Sequence, residues 1–171
     1  PNVPIETVLI DGFDGIPRGR QPGSGNEEVA LDIQMAISMA PGLDRVLVYE
    51  GDPQSSLATI NNVLNRMATD NAARQLSCSW GFDIDVVTQQ IFQQYAAQGQ
   101  SFFQASGDDG AYVGPIFQPS DNPWVTLVGG TALTTRTSHA YVSESVWNGG
   151  GGGISAVFRL PSWQEGIDFT D

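Results

Sequence analysis

Glu28 and Asp32 stand four residues apart in Glu28-Val29-Ala30-Leu31-Asp32-Ile33. On a helix this spacing places two carboxylates on one face, their Cβ atoms about 5–6 Å apart. Adjacent, partly desolvated carboxylates do not both ionise easily, so one is expected to keep a proton that a solvated carboxyl would lose. Asp32, a poor helix former set among Val29, Leu31, Ile33, Met35 and Ile37, is expected to be buried. A catalytic or ligand-binding pair is one reading. The other is a solvated acidic face, with Glu28 favoured near the positive end of the helix dipole.

A second acidic feature, Ser106-Gly107-Asp108-Asp109-Gly110, follows directly on the strand-like Ser101 to Ala105. Ligand sites of open α/β sheets lie beyond the carboxyl ends of the strands, where such a turn directs polar groups; an ordinary Asp-Gly turn is the plainer reading. Ser77-Cys78-Ser79-Trp80-Gly81 ends another strand. There Trp80 offers a flat surface and Gly81 room for a second backbone, a combination suited to an extended peptide; a half-buried core Trp is the alternative. Helices that follow parallel strands begin where the preceding strand ends, so the helix of Glu28 is expected to start at this same edge.

The elements that must position these groups alternate. Strands are expected at Thr7 to Ile10, Arg45 to Tyr49, Gln75 to Ser79 and Ser101 to Ala105. Between them lie helices over Glu27 to Ala40, Ser56 to Thr69 and Ile84 to Gln98, the first preceded by a Gly/Pro/Arg loop running to Gly25 and stopped by Pro41-Gly42. This is the pattern of an α/β fold with a mostly parallel sheet flanked by helices. After Gly107 the rhythm breaks into a tail of short strands near Trp124 to Val128, Ala132 to Thr135 and Tyr141 to Trp147, then five glycines, Gly149 to Gly153.

Composition narrows the function. Of 171 residues 40% are hydrophobic, enough for a core without disulfide or metal. Nineteen carboxylates face seven bases, all Arg, for a net charge of -12, which makes nucleic acid and anionic membrane surfaces poor partners. No apolar run reaches the roughly 18 residues of a membrane span. Cys78 has no partner for an internal disulfide and reads as an inert mid-strand core thiol. His139, the single histidine, reads as a surface hairpin residue, which argues against a Ser-His-Asp or Cys-His triad. No Cys/His cluster has zinc spacing, and the Asp pairs offer too few oxygens for calcium.

Taken in order, these segments resemble the sedolisin family of serine-carboxyl peptidases. Glu28 to Ile33 followed by Ala40-Pro41-Gly42 looks like the family's catalytic helix, Ser77 to Gly81 like its substrate-lining strand, and Ser106-Gly107-Asp108 like its oxyanion segment. Pro123-Trp124-Val125, Gly129-Gly130-Thr131, Glu144 to Asn148, Gly151 to Ser155 and Leu160 to Gln164 look like later landmarks. The resemblance implies a subtilisin-like fold and a secreted endopeptidase active at acidic pH on peptide or protein substrates. It implies Glu28 as general base, Asp32 as the group orienting it, Asp108 as oxyanion hydrogen-bond donor, and Ser79, Trp80 and Gly81 as substrate-binding residues.

The family's nucleophile lies in a Gly-Thr-Ser segment, and its calcium site in the same late region. Here Gly130-Thr131 is followed by Ala132, and Ser155 belongs to the glycine-rich landmark. Residues 1–171 are therefore expected to be the central part of one peptidase domain, incomplete at both ends, without cofactor, unable to hydrolyse peptides alone and capable of self-association. The competing expectation is a non-catalytic module binding peptides or a partner chain through the Trp80-Gly81 edge.

Overall fold

The structure is a computed structural model that describes residues 2–16, 25–52 and 56–167. Positions 17–24, most of the Gly/Pro/Arg loop, and 168–171 lie outside them. The chain divides into two compact units, one of residues 1–74 and 85–100, the other of residues 75–84 and 101–171.

In the first unit the order is β1 (Ile5–Leu9), α1 (Asn26–Met39), β2 (Val46–Glu50), α2 (Leu57–Asp70) and α3 (Val86–Ala97). β1 and β2 pair in parallel from Ile5↔Val46 to Leu9↔Glu50. Parallel neighbours require a crossover, and α1 supplies it. α2 and α3 form the core of this unit: Leu64, Ala68, Ile91, Phe92 and Tyr95 are buried, and the Tyr95 hydroxyl donates to the Leu64 carbonyl at 2.6 Å. The start of α3 is tied down by polar contacts. Asp85 Oδ1 accepts from the Thr88 N–H at 2.9 Å, while the Thr88 hydroxyl accepts from the Asp85 N–H at 3.2 Å, which is a reciprocal capping box. Asn61 of α2 donates to Asp85 at 3.2 Å and accepts from the Thr88 hydroxyl at 2.7 Å. Elsewhere Tyr49 of β2 donates to Asp70, which also holds Arg66; burial and then that hydrogen bond push the phenol up to about 12.

The second unit holds a three-stranded parallel sheet in the order β3 (Gln75–Cys78), β4 (Ser101–Ala105), β5 (Val125–Val128), followed by an antiparallel hairpin of β6 (Thr131–Thr135) and β7 (Tyr141–Val146). Along β4, Phe102 and Gln104 are buried while their neighbours are less so, the period-two pattern of a strand over a core. β5 is launched by Asn122, whose side-chain oxygen accepts from the Trp124 N–H and whose carbonyl accepts from Val125. His139 lies in the β6–β7 turn with φ 63°, exposed, as the sequence led us to expect.

The expected elements all form, with ends shifted by one or two residues. Cys78 is a correction: it ends β3 and is half-buried, not a mid-strand core thiol. β3 leaves the ladder at Cys78, one residue sooner than the expected end at Ser79.

Candidate active site

In the first unit, α1 presents Glu28 in its opening turn and Asp32 one turn on. The helix starts after Gly25, held at φ +81°, and Gly25 accepts the first intrahelical hydrogen bond from Val29. Both carboxylate residues are half-buried. Asp32 is thus not enclosed, contrary to expectation, because α1 has no buried residue at all: Leu31, Met35 and Met39 are 52%, 51% and 78% exposed. Of the apolar neighbours that made Asp32 look like a core residue, Val29, Ile33 and Ile37 are half-buried, while Leu31 and Met35 continue with Met39 as an exposed stripe.

In the second unit, Asp108 sits where β4 exits, exposed, in a turn framed by Gly107 (φ +81°) and Gly110 (φ +79°). Those two left-handed positions favour glycine, and they let the chain reverse immediately after the strand. Ser106, only 3% exposed, anchors the turn. Its N–H donates to the Val128 carbonyl, its hydroxyl accepts from the Gly151 N–H at 3.0 Å, and its carbonyl accepts from the Tyr112 hydroxyl at 2.7 Å. The Gly110 N–H donates to Gly149 and the Tyr112 N–H to Gly152. The five-glycine run therefore serves as a backbone platform under the Asp108 turn. A Cβ at Gly151 would lie 1.9 Å from the Ser106 carbonyl oxygen, which accounts for glycine there.

The segment after β3 is held by Gln104 of β4 and by Phe117 and Gln118. Trp80 is 47% exposed, so it is a surface aromatic and not the core Trp of the alternative reading. Its N–H donates to Cys78 Sγ at 3.4 Å. Gly81 does not leave room for an incoming backbone as expected: the Phe117 ring occupies the place of its missing side chain, 1.7 Å from where a Cβ would be. Gln118 continues the contact, accepting from the Phe82 N–H through its carbonyl and from the Ile84 N–H through its side chain. Beside this segment, at the carboxyl ends of the parallel strands, lies an open cleft of about 370 Å³. Ser77, Cys78 and Ser79 line it from β3 and its exit, Phe103, Gln104 and Ala105 from β4, and Val128 from β5. That volume is within the range of small-ligand sites, about 300–1,000 Å³.

Each unit thus gathers its own share of the expected groups: the carboxylate pair on α1 in one, and the Asp108 turn with Ser79 to Gly81 in the other. Phe117, Gln118, Tyr112 and Gln104 carry much of the local positioning and were missed. The first three lie in or beside a loop with no periodic signal, while Gln104 could have been noticed as a polar residue in the buried row of an otherwise apolar strand. Among the described residues no group of three or more His, Cys, Asp or Glu side chains could hold a metal ion. No described helix is long and apolar enough to cross a membrane.

A parallel α/β chain with its polar turns at the carboxyl ends of the strands has the fold class of the subtilisin-like proteins. No protein-family model matches the chain. It is similar, at 32% identity over 200 residues, to sedolisin of Pseudomonas sp. (strain 101), a match covering 99% of this chain and 34% of that protein. Kumamolisin of Bacillus sp. (strain MN-32) is 31% identical, with 94% and 32% covered, and human tripeptidyl-peptidase 1 is 28% identical, with 84% and 28% covered. The solved structure of Pseudomonas sedolisin, a serine-carboxyl proteinase complexed with pseudo-iodotyrostatin, superposes with a TM-score of 0.77 at 30% identity, covering 95% of this chain and 52% of that one. The chain belongs to the sedolisin family. It spans about a third of the length of the curated relatives it matches.

Proposed function

We propose that this chain is part of a secreted serine-carboxyl endopeptidase that cleaves peptide bonds in proteins at acidic pH. The observation that carries the reading is the family match together with the placement of its acidic groups: two carboxylates one turn apart on α1, and Asp108 at the exit of a parallel strand. In this reading a serine supplied from outside residues 1–171 attacks the scissile carbonyl and passes its proton to Glu28. Asp32 orients and polarises the Glu28 carboxylate. Asp108, protonated, donates a hydrogen bond to the oxyanion of the tetrahedral intermediate. Collapse of that intermediate expels the amine, which takes the proton back from Glu28, and water then releases the acyl group by the same steps in reverse order.

The chemistry favours acid. A carboxyl base works best near its own low pKa, and a carboxylic acid donates a hydrogen bond only while protonated. The 171 residues contain no Gly-Thr-Ser segment, so by themselves they are not hydrolytic in this reading.

The test is turnover by the full-length protein with a fluorogenic peptide at acidic pH. Glu28→Gln, Asp32→Asn and Asp108→Asn should each lower kcat by at least about a hundredfold, the scale of losing a general base or an oxyanion donor, with folding intact by circular dichroism. Wild-type rates in all three variants would defeat the assignment. A full-length chain with no Gly-Thr-Ser segment, binding peptides without cleaving them, would instead establish the binding module.

A further inference from the structure

Gln104 stands where the sheet calls for an apolar side chain. It shares the buried face of β4 with Phe102, is 1% exposed, and lies opposite Cys78 in the β3–β4 register. Its Nε2 donates to the Trp80 carbonyl at 2.9 Å. Its Oε1 is buried and accepts no hydrogen bond from any described residue. Its Nε2 also donates, at 3.4 Å, to the Ala105 carbonyl, but an amide buried with its oxygen unpaired is costly, so the shorter bond to Trp80 calls for a role.

That role follows from where the ladder stops. β3 pairs with β4 only as far as Cys78↔Gln104; Trp80, two residues further, has no ladder partner on β4. The Gln104 side chain takes the ladder's place by reaching forward to the Trp80 carbonyl. The segment is held from the other side by the Phe117 ring over Gly81 and by Gln118 at Phe82 and Ile84. The result is a rim whose path is set from both sides while the Trp80 indole remains exposed.

We infer that Gln104 is a positioning residue that fixes the Ser79-Trp80-Gly81 rim in the path that an extended peptide must follow, and so sets substrate affinity without touching the reacting atoms. The inference rests on the peptidase reading for the identity of the ligand. A clamp that acts only through the rim should change KM and leave kcat alone, whereas a general packing defect would lower both.

Three proteins decide it: the full-length wild type, Gln104→Leu and Gln104→Glu. Gln104→Leu fills the space without a donor. It should raise KM for an internally quenched peptide about tenfold, as expected for one lost hydrogen bond, with kcat within about twofold, and should speed amide exchange at residues 79–84. Gln104→Glu restores a donor only while its carboxyl is protonated. Its KM relative to wild type should be near one at pH about 3 and rise only as the pH passes the value of this buried carboxyl, which desolvation places above the ordinary Glu value of about 4.3. Unchanged KM and unchanged exchange at 79–84 in Gln104→Leu would overturn the proposal, as would a KM ratio for Gln104→Glu that ignores pH. Faster exchange at 79–84 in a protein that cleaves no peptide would uphold the clamp and overturn the peptidase reading.

Discussion

Gly151 carries more of the candidate oxyanion turn than its lack of side chain implies. Its N–H donates to the hydroxyl of Ser106, two residues before Asp108, and its α-carbon approaches the Ser106 carbonyl so closely that a methyl group would sit 1.9 Å from backbone oxygen and 2.8 Å from the Tyr112 ring. Backbone cannot swing aside as a side-chain tip can, so Gly151→Ala must move either the glycine platform or the exit of β4. The neighbouring Gly152 meets nothing within 4 Å. In urea denaturation, Gly151→Ala should lose about 1–3 kcal/mol, the scale of overpacking a well-filled site. Gly152→Ala should stay within about 0.5 kcal/mol of wild type. Equal losses in the two variants would show that the close approach is not what requires glycine. The acidic residues themselves were legible from type and spacing. The contacts of Gly151 were not, since nothing in a run of five glycines says which of them meets a carbonyl forty-five residues away.

Among the elements, α3 shows how a short polar sequence fixes a helix start. Asp85 is held below the usual carboxylate range chiefly by the hydrogen bond from the Thr88 N–H, opposed by desolvation and aided by Asn61 and the Thr88 hydroxyl. A folded-state value below the unfolded one means that the unfolded chain binds the proton more tightly, so the cap's contribution is complete above the unfolded value of about 3.9 and is lost as pH falls through the folded one. Asp70, lowered mainly by its bond to Arg66, loses its contribution in the same direction. Asp85→Asn keeps an N-capping acceptor but removes the titration. Its stability, followed by thermal melts from pH 5 to pH 2, should therefore fall less steeply than that of wild type, and parallel curves would contradict the linkage. The alternation of apolar and polar runs exposed this helix and nearly every other element, because that period is a local property. It could not say which face of α1 meets protein: Leu31, Met35 and Met39 recur at helical spacing whether or not anything covers them.

Across the whole molecule, burial is unevenly distributed for an α/β chain. Parallel strands are ordinarily covered on both faces, yet Ile5 and Leu9 of β1 are 53% and 42% exposed; in the antiparallel hairpin Leu133 and Val146 are 58% and 79% exposed. With the α1 stripe, these make apolar surface on elements from both units, and among the described residues no further strand pairs with the outer edges of β1 and β2. This chain matches 52% of the solved sedolisin chain, and we propose that residues of the full-length protein outside 1–171 cover these faces. Contiguous apolar patches beyond a few hundred Å² and open strand edges drive association in water. The 171-residue chain, expressed alone, is accordingly expected to sediment above its 18.3 kDa monomer mass. Replacing Leu31, Met35 and Met39 together by Ser should shift it toward monomer, because the stripe is exposed and its removal takes nothing from either core. The full-length protein should be monomeric under the same conditions. A 171-residue chain that sediments as a monomer at tens of micromolar would mean that these exposed side chains are too scattered to form a contact. An assembly that survives the triple replacement would place the association on the strand edges, where main-chain pairing and not apolar burial holds the copies together.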